Sequence, residues 1–468
     1  LSLMRPLGLL KEVTNSYIWI TLADNLCNLG KLSNFLSLSS YEQLFNNAAV
    51  KHKHELKDLA AFRDHELPDL LDMSVDTLVD FLAFRADPYS DSLWLEYLDG
   101  TSILFYSYDA GCFHTWLLDK QGIQSYHRQN LSKQVITGTI LNLRATLDIS
   151  SVQRSQTPQP ITHTSPPRGS LENVITLAND EISREQAIKT LSDLLLPLPI
   201  ANKLDRTSHL IVVPILEIGT VPYAALQPFD DDTYLIDKMS ISIASSLFDI
   251  GQLIRPLWLS NSNRPPLIVG NPHLPNNPDW LLPPLPGAET EAQAVATMLG
   301  STPLLGREAT KTAILSYVSS ASLLYFATHG IANPQNPLAD SFLMFSSEQL
   351  EQGWWTAREV QNTKLSADLA ILSACQTGLG QAHDAGMIGL ARAFQIAGVP
   401  RVVMSLWNVD DQATSELMQR FVQYLVDAEN SIDYLIPSEA LRQAMLDIKQ
   451  NHPDPIKWAA FSLFGTPR

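Results

Sequence analysis

The sequence predicts an α/β fold: a mostly parallel central sheet covered by helices, with an N-terminal helical region and a small β meander before it. Three observations carry this expectation. Apolar runs of strand length recur at Leu210–Pro214, Leu267–Gly270, Ala321–Gly330, Ala367–Ala374 and Val402–Trp407, with helix-period segments between them. Runs that are apolar throughout suit strands buried on both faces, as a parallel sheet requires. Residues 93–130 instead hold short β segments (TSILFYSYD, GCFHTWLLD, GIQSYHR) broken by turn residues at Asp109-Ala110-Gly111 and Lys120-Gln121-Gly122. Residues 1–92 read as helical: Phe35–Leu70 mixes apolar and charged residues without alternation, and Val75–Phe84 is spaced as a helix. No 34-residue self-similarity marks a helical repeat there.

The chain then divides at 1–92, 93–200 and 201–468. In the middle part a helix follows the meander at residues 133–149. Next comes a Pro-rich loop at 153–170, where Pro158, Pro160, Pro166 and Pro167 lie among Ser, Thr and Gln and bury little. Leu171–Leu196 returns to helix, with Glu185, Lys189 and Asp193 on a polar face. In the third part, Leu210–Pro214 is the first core strand, Tyr234–Ala244 the next, and Leu267–Gly270 the third. The Pro-rich stretch Pro272–Pro286 has the length and place of a binding loop. A helix over Glu289–Leu299 and one capped by Thr310 and running to Tyr317 precede the strand that ends at His329. Phe342–Phe345 is a short strand, and Trp354-Trp355 are packing residues, with a substrate-side role as the alternative. Helices follow at Ile388–Ala397, Gln412–Asp427 and Ser438–Gln450. Trp458–Leu463 closes the chain as a short strand or packing segment.

Bulk properties exclude several functions. A formal net charge of −17 argues against a phosphate-binding surface, hence against direct nucleic-acid binding, and leaves room for a basic peptide partner. Three cysteines, Cys27, Cys112 and Cys375, are too few for a disulfide scaffold and point to a reducing, cytoplasmic setting. No run reaches the ~18 apolar residues of a membrane helix. Tyr17–Leu22 is the most apolar early stretch; Arg5 and Lys11 precede it, but no small-residue cleavage pattern comes after it, which weakens a signal-peptide reading. The sequence opens on Leu, so its N-terminal extent stays open. Lys51, His52, Lys53 and His54 read as a solvated helix face, because no Cys or acidic ligand set accompanies them. Neither GxGxxG nor GxxxxGK[ST] occurs, so Gly270-Asn271-Pro272 is not read as a nucleotide loop. No metal or organic cofactor is implied.

The chemistry concentrates at two strand ends. One strand runs out into Cys375, Gln376, Thr377 and Gly378; the other ends in His329 and Gly330, 46 positions before the thiol. Ligands in open α/β sheets bind outside the carboxyl ends of strands. If the two strands are neighbours, an imidazole stands ready to take the thiol proton and release a nucleophilic thiolate. Gly330 lets a substrate carbonyl approach its N–H, which with the Cys375 N–H forms an oxyanion hole. His383 is the rival base, but it lies in the glycine-rich stretch 378–386, read as flexible, and a strand end holds a base more firmly. Cys112 and His114 share a strand edge, yet nothing organises them into an oxyanion site.

FATHG, LSACQTGLG, GLARAFQIAGVPRVVMSLWNVDD and WAAFSLFG, with LIVVPILEIGTVPYAALQP, LIVGNP and LPGAETEAQAV upstream, resemble the CHAT family of mostly bacterial, caspase- and separase-like cysteine peptidases. The resemblance spans roughly residues 93–468. It implies a caspase-like three-layer sandwich over 201–468 and a His329–Cys375 dyad that cleaves a protein or peptide substrate. Many relatives carry Glu where this chain has Gln376. The turn Leu406-Trp407-Asn408-Val409-Asp410-Asp411 is similar to that of separases, where an acid at the position of Asp411 receives arginine. Asp411, with Asp410, is therefore expected to line a pocket for Arg or Lys; capping the following helix is the other reading. A second function class is a catalytically latent regulatory or scaffold protein on the same fold, with a regulatory protein partner. A third, a thioesterase or acyltransferase, lacks any acyl-carrier signature.

Overall fold

The computed structural model describes residues 99–109, 111–120, 122–147, 183–244, 264–275, 285–331, 339–374, 381–383, 386–407, 411–429 and 436–465. The expected helical region at 1–92 and the Pro-rich loop at 153–170 lie outside these residues.

In chain order, β1 (Thr101–Asp109), β2 (Cys112–Asp119) and β3 (Gly122–Asn130) lead into α1 (Lys133–Leu147), α2 (Arg184–Leu195) and α3 (Leu198–Ala201). Then come β4 (His209–Val213), α4 (Leu235–Lys238), β5 (Ser240–Ile243), β6 (Leu267–Pro272), α5 (Pro286–Met298), β7 (Leu304–Gly306) and α6 (Lys311–Tyr317). β8 (Leu323–Thr328), β9 (Gly330–Ile331), β10 (Phe342–Met344), β11 (Trp354–Thr356), α7 (Ala357–Asn362) and β12 (Leu369–Ala374) are next. The chain ends with β13 (Gln381–His383), β14 (Gly386–Ile388), α8 (Leu390–Ala397), β15 (Arg401–Ser405), α9 (Asp411–Glu429), α10 (Pro437–Asn451), α11 (Pro455–Trp458) and β16 (Phe461–Gly465).

Eleven strands form one sheet in the order β3-β2-β1-β4-β5-β16-β15-β12-β8-β6-β7. β1, β4, β5 and β16 run parallel to one another, as do β15, β12, β8, β6 and β7. The two blocks meet in the antiparallel pair β15–β16, so they point in opposite directions. The meander β1–β3 is antiparallel, as expected, but it is not a separate sheet: β1 pairs with β4 and extends the main one. One apolar cluster runs from Leu104 to Phe464.

Adjacent residues on a strand face opposite ways, and β8 shows what lies on each side. Tyr325 reaches Glu291 on α5. Phe326 packs on Phe345, Trp355 and, on α8, Phe394, with ring centroids 5.6, 5.9 and 6.2 Å away. Helices therefore cover both faces, and the expected three-layer α/β architecture with a mostly parallel sheet is observed. Gly270 sets how closely α5 approaches: a Cβ there would stand 2.4 Å from that of Ala292. Its neighbour Asn271 accepts from the Leu285 N–H at 2.9 Å and donates to Glu289 at 3.0 Å, fixing the start of α5.

Two expectations need correction. Tyr234–Ala244 is not one strand; its first half is the short helix α4. The Tyr234 N–H donates to Asp237 at 3.1 Å, and Arg442 on α10 binds the carbonyl oxygens of Ile236 and Asp237, both at 2.7 Å. These bonds close a helical turn that side-chain alternation does not reveal. The stretch after Cys375, read as a flexible loop, contains the antiparallel hairpin β13–β14, packed against the 3₁₀ turn Leu216–Thr220. Near the C-terminus, Trp458 ends α11, and the last strand begins at Phe461. Thr310 caps α6 as expected, accepting from the Ala313 N–H at 3.1 Å.

Candidate active site

β8 and β12 are direct neighbours and run in parallel. Their register pairs Leu369 with Leu323 and continues without a slip to Ala374 beside Thr328. His329 is the residue after Thr328, and Cys375 is one peptide bond beyond Ala374. Cys375 itself, with Gln376, lies outside the described residues, so the structure shows the frame as far as Ala374.

That frame is tightly bonded. The His329 carbonyl accepts from the Met344 N–H at 2.9 Å, and the Thr328 hydroxyl donates to the Met344 carbonyl at 2.6 Å. Gly330 pairs with Leu343 in the small β9–β10–β11 sheet and is buried. The imidazole position thus stands between two sheets: β8 leads into it, and β9 anchors the backbone just beyond it. His329 is half-buried, which leaves it open to solvent on one side. On the other strand, the Ala374 carbonyl accepts from the Ser405 hydroxyl of β15, which ties three strand ends together.

β15 exits through Leu406 and Trp407, held by bonds from the Leu406 N–H to Ala460 O (2.7 Å) and from Trp407 Nε1 to Ile456 O (3.4 Å). Asp411 is the first residue of α9, four positions past Trp407, while Asp410 lies outside the described residues. A helix start favours a carboxylate whether or not it also meets a ligand.

The competing residues sit elsewhere. Cys112 begins β2, is 4% exposed, accepts from Arg128 at 2.8 Å and donates to Asn130 at 3.2 Å. His114 bonds the Tyr126 hydroxyl at 2.9 Å. Both belong to the meander, at the far edge of the other strand block. His383 ends β13, opposite Gly386 in the hairpin. Lys51–His54 lie outside the described residues. Trp355 is fully buried among Phe326, Phe345 and Phe394, which makes it core. Trp354 stacks on Phe342 at 4.2 Å.

Sequence reading missed one feature beneath the site. Tyr325 donates to Glu291 Oε1 at 2.7 Å, and both residues are buried, at 0% and 1% exposure. Burial, reinforced by the Glu291 charge, pushes the Tyr325 phenol well above its ordinary value, and its bond to the Ser373 hydroxyl partly offsets this. The available signals were a tyrosine inside an apolar run and a glutamate in an Ala-rich helix. Among the described residues, no group of three or more His, Cys, Asp or Glu is arranged to hold a metal ion, and no helix is long and apolar enough to cross a membrane.

A family model described as the CHAT domain matches residues 185–466. Tetratricopeptide repeat protein 28 of Mus musculus is 26% identical over 303 residues, and the Homo sapiens protein of that name is 27% identical over 303 residues. Each alignment covers 56% of this chain but 12% of the relative, so the chain spans a small part of the curated relatives it matches. The crystal structure of the Saccharomyces cerevisiae separase–securin complex gives a TM-score of 0.47 at 13% identity, over 91% of this chain and 33% of that one. The family match takes in more than half of the chain, from α2 to the last strand, and includes both strand ends described above: this protein belongs to the CHAT domain family.

Proposed function

We propose that this protein is a cysteine endopeptidase that uses a His329–Cys375 dyad to cleave a protein substrate. The observation that carries this reading is the unbroken parallel register of β8 and β12, with Ala374 beside Thr328. Neighbouring strands in a sheet lie about 4.8 Å apart. Residues that directly follow paired strand ends start from that separation, which is within reach of an imidazole and a thiol.

In this mechanism His329 takes the Cys375 proton, and the thiolate attacks the peptide carbonyl carbon. The N–H groups of Gly330 and Cys375 hold the oxyanion. The C–N bond breaks as the imidazolium gives its proton to the leaving amine. Water, deprotonated by His329, then hydrolyses the thioester and restores the thiol. A thiol is acidic enough to need no third carboxylate. Asp411, with Asp410, lines the pocket for the residue before the cut, which favours Arg or Lys there. A regulatory protein partner and a cytoplasmic setting, the latter supported by the sparse cysteines, complete the proposal.

The test is digestion of an unbiased peptide library, with the Cys375→Ala protein as control. Cleavage after Arg or Lys that vanishes in the control is expected. No difference between the two proteins would overturn the reading and leave the latent regulatory alternative.

A further inference from the structure

A carboxylate at 1% exposure is costly to keep unless its bonds compensate for the lost water. Glu291 sits on α5 and accepts from Tyr325 of β8, whose neighbour across the sheet is β12, the strand that carries Ser373. The register explains the geometry. Tyr325 lies beside Ile371 and Ala327 beside Ser373, so Tyr325 and Ser373 are diagonal neighbours on one face, within reach of an aromatic side chain. Ser373 precedes Cys375 by two residues, and Tyr325 precedes His329 by four. A buried Tyr325–Glu291 pair therefore stands diagonally beside Ser373, just below the ends of the two strands.

We propose that Glu291, Tyr325 and Ser373 form a positioning network that holds the end of β12 in register with the end of β8 and thereby sets the Cys375 thiol against His329. The three act through the backbone they fix and through the Glu291 charge. Little else competes for that role. Tyr325 is the sole titratable residue of β8, and β6, β7 and β12 carry none. Among the described residues, the buried side chains of α9, which packs against α5, are apolar except for Ser415. Facing His329, β9 and β10 contribute no titratable side chain. The Ser405 bond to the Ala374 carbonyl braces the same strand end from its other neighbour. A satisfied buried polar network fixes one arrangement of a core, and in this proposal that arrangement includes the reacting pair.

This inference rests on the dyad reading, and the test separates the two. The rate at which iodoacetamide modifies Cys375 is followed from acid to neutral pH, with the site mapped by mass spectrometry and the melting temperature recorded in parallel. In the unsubstituted protein Cys375 reacts, and His329→Ala slows it; if either fails, the dyad reading fails and the positioning network falls with it. Given that result, Tyr325→Phe slows the reaction by about tenfold, the loss expected for a buried hydrogen bond to a carboxylate, and Ser373→Ala slows it by about threefold, both with the protein still folded. Glu291→Gln moves the pH midpoint down by about half a unit or more, because removing a negative charge disfavours the protonated forms of both reacting groups. Ser373→Ala is the mildest change and guards against loss of fold. Variants that only melt earlier, with the Cys375 rate and midpoint unchanged, would overturn the proposal and reduce the network to a core bond.

Discussion

Two histidines in this molecule stand at the ends of core strands in different surroundings. His209 opens β4 in one block of the sheet, is 7% exposed, and lies between the Ser240 and Ser242 hydroxyls at 2.8 and 3.0 Å. His329 comes directly after β8 in the other block, half-buried, with its own carbonyl pinned by Met344. The first is enclosed at a strand's amino end; the second emerges at a carboxyl end beside a neighbour that leads to a thiol. The cysteines repeat the contrast: Cys112 is buried in the meander between Arg128 and Asn130, whereas Cys375 comes directly after the end of a central strand. Residue type is the same in each pair. Position in the sheet separates a satisfied core group from a candidate reacting group.

The comparison breaks most sharply at His329. His329→Ala should cut cleavage, or labelling of Cys375 by a peptide probe carrying Arg beside its warhead, by about 10²–10⁴-fold, the usual contribution of a general base. His209→Gln should leave the labelling site unchanged. Next in size is Asp411→Asn. If this carboxylate receives the substrate cation, the rate on Arg and Lys peptides falls by at least about thirtyfold while neutral peptides are spared; an equal loss on all peptides would mark it as a helix cap.

The seam between the two blocks gives a third test. Gly465 has φ of +117°, and a Cβ there would stand 2.0 Å from the Pro400 carbonyl oxygen, at the β15–β16 pair. Gly465→Ala should cost at least about 1–3 kcal/mol in denaturant unfolding. Cys112→Ser should leave peptide labelling within about twofold of its starting rate, since a substitution remote from the dyad has no path to it.

The smallest effect concerns acid stability of the meander. Burial holds the His127 imidazole on β3 below its ordinary value. Below pH 6.5 the unfolded chain therefore binds more protons than the folded one, so stability rises with pH through that window and falls on acidification. Urea unfolding at about pH 7.5 and about pH 5.5 should show His127→Gln losing less stability on acidification than the unsubstituted protein.

Much of this was legible in the sequence. Apolar runs such as Leu323–Thr328 and Leu369–Ala374 are strands because both faces are buried, and their polar exits mark the candidate site. The 46 residues between His329 and Cys375 suit a crossover between neighbouring parallel strands, which is how β8 and β12 lie. The features that stayed hidden depend on contacts distant in sequence. The helical turn at Leu235–Lys238 is held by Arg442, some two hundred residues later. The opposed direction of the two blocks comes from β16 pairing backwards with β15. Tyr325 reads as one more apolar strand residue until Glu291 is found above it.

The most direct measurement is a crystal structure of the protein with a peptide probe bonded to its cysteine. The account predicts a bond to Cys375 Sγ, the His329 imidazole within about 4 Å of that sulfur, and the probe's carbonyl oxygen against the Gly330 N–H. An imidazole turned to the opposite face of the sheet, or a probe carried by Cys112, would contradict it.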